Sequence, residues 1–473
     1  MDAKRQSSRH LRLTGMDTMF LVTNLHTLKL SILESSNPER PLDADVVRDA
    51  IGQVLHAVPG FTQKLLPVPL GLHHPLLVGD GGFELAEHIH HRHLPPPGGR
   101  RQLDEVIGEV CASPLDLRRP LWEVHLFTGL EFGRVAVLLK LHHCLADGRV
   151  AANQLKALTA AAPAALAIDD TVPSRRTVVR EAFRDRRKDL AQLPTLIRDT
   201  ARRRRVVRSI RARTDVPAML GGPCTRFSEK LSTQRTWGTV SIPLTDVKAV
   251  AKHYGVSIND VLMTMTGYAM RRFLDARGEL PRESLTVGLP LDTSKPSDAA
   301  ALQGNKVITA VATLGTDRAD VVSQLHVIHR SMKVTKEIRD ARGDLAERWL
   351  QYCHLPVLSR LARLVERYGL LTRAGLPPAL VSNVRGPDEA LQFQHLQVQN
   401  FFSVGPLIEG VGLNITAWSY AGQFNISLLS ARNIVEAPQE FLSLMEAALE
   451  ELAVRMNTPG KADSAPFAKD VLS

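Results

Sequence analysis

The chain has 473 residues, 44% hydrophobic and 23% charged, a balance that excludes wholesale disorder and a length beyond one ordinary core, so two sizeable domains are expected. Its net charge of +10 is local: between Arg175 and Arg213 stand 15 Arg and Lys against 4 Asp and Glu, and the remainder is close to neutral. No run approaches the roughly 18 apolar residues of a membrane span, no hydrophobic signal core follows the basic N-terminus, and the four cysteines lack CxxC spacing, which points to a cytoplasmic protein without a disulfide framework or zinc cluster.

Residues 42–57 (LDADVVRDAIGQVLHA) carry apolar side chains at helical spacing, and the prolines and glycines after them mark loops and short strands. A second amphipathic helix is expected over 101–112. The stretch LWEVHLFTGLEFGRVAVLLKLHH then alternates apolar and polar positions around Gly129 and Gly133, as a hairpin does, and its second strand runs into His142 and His143. RVAANQLKALTAAA, after Gly148, is helical in composition. From 163 to 236 strand character is lost, with Pro163, Pro173, Pro194 and Pro217 punctuating Ala- and Arg-rich pieces, so a connector with one or two exposed basic helices is expected. Near Trp237 an organised pattern resumes: the strand TWGTVSIPL, the helix TDVKAVAKHYG and a longer helix from Ser257. The last third holds the strands SLTVGLPL, NKVITAVATL, LNITAWSY and QFNISLLS, the last two joined as a hairpin at Ala421-Gly422, before an amphipathic helix over 438–456. The expected division is therefore an N-terminal domain over 1–165, a basic connector over 166–236, a C-terminal domain over 237–458 and a polar tail over 459–473.

The chemistry-bearing stretch is LHHCLADG, residues 141–148. Adjacent residues on a strand point to opposite faces, so His142 and His143 do not both reach one ion, and His143 with Asp147 supplies too few ligands; no metal is expected. Cys144 as nucleophile needs a base standing opposite it, and a packed structural cysteine is the simpler account. Histidine pairs alone mean little, since EHIHHRHLPPP (87–97) and GLHHPLL (71–77) carry them with no Asp-Gly following. What separates 142–148 is the whole arrangement: a strand end orients an imidazole, a tight turn follows, Asp147 is placed to pair with an arginine, and Gly148 permits unusual backbone. A neutral histidine so held is available as a general base near neutral pH.

HHxxxDG is accompanied by PLDLRRPLWEVHLFTGLEFGR (114–134), SINDVLMTMTGYAMRRFL (257–274), VSNVRGP (381–387) and GVGLNITAWSY (410–420). In these motifs, ordered from about Leu13 to about Met456, the sequence resembles the bacterial wax ester synthase/acyl-CoA:diacylglycerol acyltransferase family, within a superfamily that includes chloramphenicol acetyltransferase and nonribosomal condensation domains. The resemblance implies an α/β fold of two chloramphenicol-acetyltransferase-like domains, with mixed sheets and flanking helices around a central tunnel. It implies an O-acyltransferase that moves a long-chain acyl group from acyl-CoA to the hydroxyl of diacylglycerol, without a covalent enzyme intermediate and without a cofactor, since acyl-CoA is a substrate. Wax ester formation on a fatty alcohol is the near alternative, and a weakly active lipid-binding or lipid-droplet-associated homologue is the other.

By the same resemblance His143 is the base, His142 supports the loop, Asp147 is an Arg-paired structural carboxylate and Gly148 supplies backbone freedom. Asn259 is implied to lie near the active site. Asp260 carries two readings, active-site support or the capping box that Ser257 and Asp260 form by spacing, the latter favoured. Trp122 is either a buried indole at a strand entry or a substrate contact, and Asn383 is read as a turn-former at the domain junction. The chain departs from the family pattern at Arg385, where proline is common and the extra charge suits either a CoA phosphate or an acid partner, and at Asn24, at or near a position that often holds glutamate, which bears on acceptor preference or activity. For the basic connector, attachment to an anionic bilayer or lipid droplet and a plain solvated helix are weighed equally, whereas nucleic-acid binding is disfavoured because aromatics are not interleaved.

Overall fold

A computed structural model describes residues 11–23, 25–35, 44–55, 58, 60–158, 171–294, 301–393 and 396–457. In chain order its first half contains β1 (Leu11–Arg12), α1 (Gly15–Val22), β2 (His26–Ser35), α2 (Ala44–Val54), β3 (Gln63–Leu66), β4 (Leu76–Gly79), β5 (Ile89–His93), α3 (Arg100–Ala112), β6 (Trp122–Thr128), β7 (Val135–His142) and α4 (Gly148–Leu158). The long helix α5 (Arg175–Ala212) leads to β8 (Arg235–Pro243), α6 (Leu244–His253), α7 (Ile258–Asp275), β9 (Thr286–Asp292), β10 (Val307–Thr313), α8 (Val321–Arg342), α9 (Leu345–Leu350) and α10 (Leu355–Arg367). The chain then forms β11 (Ala379–Arg385), β12 (Gln392–Phe393), β13 (Leu396–Val404), β14 (Leu413–Tyr420), β15 (Gln423–Ala431) and α11 (Pro438–Asn457).

Two six-stranded mixed sheets organise these elements, ordered β12-β13-β2-β7-β6-β5 and β10-β9-β11-β14-β15-β8, beside a small sheet β1-β4-β3. The expected hairpin forms as β6 and β7, antiparallel with Trp122 opposite Leu141, while β2 flanks β7 with His26 opposite His142. The β14–β15 hairpin turns at Ala421 and Gly422, both with positive φ, as a two-residue turn matched to strand twist requires.

Sheet membership departs from the division expected from the sequence. Residues 396–404, assigned to the second domain, pair as β13 with β2 and complete the first sheet. Trp418 and Tyr420 of β14 pack in the first sheet's hydrophobic cluster, and Tyr420 Oη donates to the Val398 carbonyl (2.8 Å). The two halves are therefore fastened by exchanged strands and shared core.

The connector holds one of the expected basic helices, largely exposed but longer than its prolines suggested. Residues 175–212 form one helix running through Pro194. It is docked: Arg12 pairs with its Asp185 (3.5 Å), Arg348 with its Asp199 (2.9 Å), and its Arg213 with Glu337 of α8. Contacts on both sides offset the bond that proline removes. No helix among the described residues is long and apolar enough to cross a membrane.

Candidate active site

The HHxxxDG stretch is the corner between β7 and α4, pinned from three directions. His142 N–H donates to the Leu121 carbonyl and His143 N–H to the Leu25 carbonyl, both at 2.9 Å. Asp147 caps α4: Oδ1 accepts from Val150 N–H (2.8 Å) and Oδ2 from Lys306 N–H (2.9 Å). Both oxygens thus hold main chain, and among the described residues no arginine pairs with Asp147; the arginine expected there is replaced by backbone of the 301–306 segment. Arg149, the nearest in sequence, reaches Asp292 (3.4 Å). Gly148 lies outside the left-handed region, so backbone freedom is not why glycine stands there. A Cβ at this position comes within 3.0 Å of Val384 Cγ2, so β11's approach to the helix start sets the requirement.

His143 is half-buried, and its ring orientation is settled by Asn305. The Asn305 Nδ2 donates to Asp17 Oδ1 and to the His143 carbonyl, each at 2.8 Å, which leaves Oδ1 as the atom facing His143 Nδ1 (3.1 Å). Nδ1 must then carry the proton and Nε2 is the bare lone pair. Asp17 is in turn fixed by the capping box of α1, its Oδ2 accepting from Thr14 N–H (2.9 Å) and Oγ1 (2.7 Å). One turn on, Phe20 stacks on the His143 ring at 4.1 Å between centroids and 14° between planes. α1 is clamped against α9, where a Cβ on Gly15 lies 2.3 Å from Leu350 backbone. Burial, with the Lys29 ammonium adding to it, pushes His143 down to about 4, so the imidazole is neutral at physiological pH. Burial pushes the Asp17 carboxyl up, against the hydrogen bonds that favour its ionised form.

The other residues singled out fall into place around this group or away from it. His142 is fully buried, its Nδ1 accepting from Cys144 N–H (3.2 Å), and burial pushes it down to about 3. Cys144 is buried, and desolvation drives its thiol well above the usual range, which removes it as a nucleophile. Trp122 is packed behind β7, stacked on Phe61 and His88 and donating to the Phe61 carbonyl (2.7 Å). Asp260 lies in the second half's core, where its Oδ2 accepts from Ser257 N–H (2.9 Å), Ser257 Oγ (2.8 Å) and His329 Nδ1 (2.8 Å). Asn259 is half-buried in the first turn of α7 and makes no bond to residues 142–148 among the described residues. Asn383 is exposed within strand β11, not in a turn, and Arg385 pairs with Asp388 (3.0 Å). Asn24 lies outside the described residues. His90, Glu123 and His125 are the described group with metal-ligand character, but they sit on β5 and β6 with Lys140 Nζ already 3.4 Å from Glu123.

Two cavities that share Met16 are lined by neighbours of His143, Asn305 in one and Phe20 in the other, though not by the His143 ring itself. One, about 210 Å³, is lined by Thr14, Asn305, Lys306 and Gln351 among others. The other, about 750 Å³, has an apolar wall that includes Met19, Phe20, Ile308 and Leu350, and a rim of Arg203, Arg204, Arg208, Arg211 and Arg342. Asp17, Phe20 and Asn305 were not foreseen; the capping box of Thr14 and Asp17 was legible, its link to position 143 was not.

Comparison with known proteins agrees with this architecture. Residues 13–262 match the wax ester synthase/diacylglycerol acyltransferase catalytic domain and residues 303–453 the C-terminal domain of the same family. A Mycobacterium tuberculosis H37Rv protein named as a candidate diacylglycerol O-acyltransferase is 33% identical over 455 residues, 93% of this chain and 95% of that protein. A second, similarly named protein from the same strain is 31% identical over 461 residues, covering 93% and 96%. Among solved structures, a wax ester synthase/diacylglycerol acyltransferase from Marinobacter aquaeolei VT8 aligns with TM-score 0.64 at 24% identity, over 94% of this chain and all of that one. The first condensation domain of the calcium-dependent antibiotic synthetase shares the fold with TM-score 0.57 at 16% identity, over 97% and 98%. An acyltransferase of two α/β halves with its histidine corner between them, the chain belongs to the wax ester synthase/diacylglycerol acyltransferase family.

Proposed function

We propose that the protein transfers a long-chain acyl group from acyl-CoA to the free hydroxyl of a diacylglycerol, giving triacylglycerol, with His143 as general base. The observation that carries this reading is the fixed tautomer of His143, whose Nε2 lone pair is left available by the Asp17–Asn305 chain. The hydroxyl proton passes to Nε2 as the alcohol oxygen attacks the thioester carbonyl. When the tetrahedral intermediate collapses, the C–S bond breaks and the imidazolium returns its proton to the departing sulfur, so CoA leaves as a thiol. No enzyme-bound ester and no cofactor enter the scheme. The larger cavity suits the donor, with arginines for the phosphates and an apolar wall leading to Phe20. A glycerolipid acceptor is supported by the names of the mycobacterial relatives.

The test is incubation of the purified protein with labelled palmitoyl-CoA and either diolein or hexadecanol. Labelled triacylglycerol is the expected product, and His143→Ala is expected to lower its rate by about 10²- to 10⁴-fold. Undiminished turnover in that variant ends the base assignment. Wax ester alone moves the acceptor to fatty alcohols, and no product with either alcohol favours a lipid-binding role.

A further inference from the structure

Helix α10 is amphipathic, yet none of its residues is fully buried. Leu358, Ala362 and Val365, at i, i+4 and i+7, are half-buried on the face that packs toward α1. Beside them runs a second apolar stripe, Val357, Leu361, Leu364 and Tyr368, spaced i, i+4, i+7 and i+11, which stands 56%, 53%, 49% and 61% exposed. Four large apolar side chains on one line are more than the scattered exposure of an ordinary surface. Leu70 extends the stripe. It is 86% exposed and held at φ 56° in a turn whose carbonyl accepts from His354 Nε2 (3.1 Å), and a Cβ on the next residue, Gly71, lies 2.7 Å from Pro356. A leucine kept in the left-handed region with its side chain in water has no packing role to explain it.

Charge identifies the occupant. Arg360, Arg363 and Arg367 line the free edge of the stripe, all exposed, with Glu366 the single acid of the helix. An apolar face edged by arginine and ended by a tyrosine is the pattern of a helix lying in the headgroup region of a membrane. Thirteen residues make a helix of about 20 Å, too short to span a bilayer.

We propose that α10 together with Leu70 is the surface by which the protein lies on an anionic lipid layer. The inference deepens the proposed function, on which its purpose rests. α10 packs on α1, whose Phe20 touches His143, so a lipid alcohol leaving the layer at α10 is one helix from the base. The most basic segment, α5, also exposes Phe183, Leu190 and Ile197, but it pairs Arg203 with Asp344 and Arg213 with Glu337 and lends Arg203, Arg204, Arg208 and Arg211 to the rim of the larger cavity. Its charge is thus committed away from α10's stripe only in part, and the aspartate variant in α10 is what separates the two helices.

Flotation of the full chain with vesicles of phosphatidylglycerol, or of phosphatidylcholine alone, tests this. The wild type is expected to float with the anionic vesicles, and Leu361→Asp combined with Leu364→Asp to lose at least tenfold in vesicle affinity with an unchanged melting curve. Leu70→Ser is expected to lose severalfold, and Arg360→Ala combined with Arg367→Ala to lose affinity for anionic vesicles alone. Flotation of the paired aspartate variant at wild-type level overturns the proposal. So does light scattering that shows a wild-type dimer and a monomeric aspartate variant, since the stripe then joins two copies. Turnover supplies the second arm: the aspartate variant is expected to keep its rate on hexanol and lose about tenfold on diolein in vesicles. A protein that floats but turns over no alcohol leaves the lipid surface standing and ends the acyltransfer reading.

Discussion

Asn305 accepts the Nδ1 proton of His143 while its own amide nitrogen is held by Asp17, so a residue 162 positions away decides which ring nitrogen is free to act. In a helix-capped corner whose carboxylate, Asp147, is occupied by main chain, this is the contact that gives the imidazole at position 143 one tautomer and a fixed direction. Asn305→Ala is expected to lower kcat by about 10- to 100-fold with little change in KM, because the ring regains both tautomers and its rotational freedom. Asn305→Asp is not a mild substitution here: it sets a second buried carboxylate against Asp17 and is expected to lose stability as well as activity. Steady-state kinetics with melting curves on both variants separates the two effects.

The motif at 142–148, the β6–β7 hairpin, α4 and the C-terminal hairpin were legible because each is written in local periodicity or turn chemistry. The Asp17–Asn305–His143 chain was not, because its members lie on α1, on the 301–306 segment and on the corner, and no local pattern relates them. Strand β13 escaped for the same reason, since its partner β2 is more than 350 residues earlier. Helix α8 is buried on more than one side, against α7, β10 and α5, so its hydrophobic stripe is smeared and no element was expected over 321–342.

The pH dependence of the reaction follows from the desolvation of the half-buried imidazole. A general base works deprotonated, and burial holds His143 down at about 4, so kcat/KM is expected to rise through pH 4 and to be flat from about 6 upward. An unperturbed histidine gives a limb near 6.5 instead. Rates between pH 4 and 8 with a water-soluble acceptor distinguish the two, and a limb at 6.5 removes the burial account.

Stability has its own acid dependence. His26, His73 and His74 are each pushed down to about 4 and His142 to about 3, with burial the leading cause in every case. Their folded pKa values lie below the unfolded value of about 6.5, so below 6.5 the unfolded chain binds more protons. Stability is then complete above 6.5, falls as pH drops from 6.5 toward 4, and stops falling from this source once the folded forms also protonate. Urea midpoints measured between pH 7.5 and 5 are expected to decline steeply, before most carboxylates titrate.

Gly148→Ala tests the packing of β11 on the corner. The added Cβ lies 3.0 Å from Val384 Cγ2, so the two elements must part or the valine must turn, at an expected cost of about 1–3 kcal/mol. If closeness is the cause, Val384→Ala restores most of the loss in the double variant, and the thermodynamic cycle shows coupling. Were a left-handed backbone the cause, the second substitution restores nothing.

The arginine rim makes the last prediction. Arg204, Arg208 and Arg211 recur at i, i+4 and i+7 on α5 and so share one face, opposite Arg342 of α8 across the larger cavity. Among the described residues none of these four has a carboxylate partner, whereas Arg203 and Arg213 on the same helix are paired with Asp344 and Glu337. Burial, and Arg211 beside it, hold the Arg342 guanidinium below its usual range, a repulsion that an anion between them relieves. The pyrophosphate and 3′-phosphate of CoA fit that requirement, and their guanidinium contacts are worth about tenfold in affinity each. Calorimetric titration with CoA is expected to show Arg208→Ala weakened about tenfold and Arg204→Ala with Arg211→Ala more, with a smaller dependence on salt than the wild type. Arg187→Ala, exposed on the same helix but outside the cavity, is expected to bind as the wild type does. Arg211→Lys keeps the charge and loses the planar fork, so an intermediate loss there identifies bidentate phosphate contact rather than attraction by net charge.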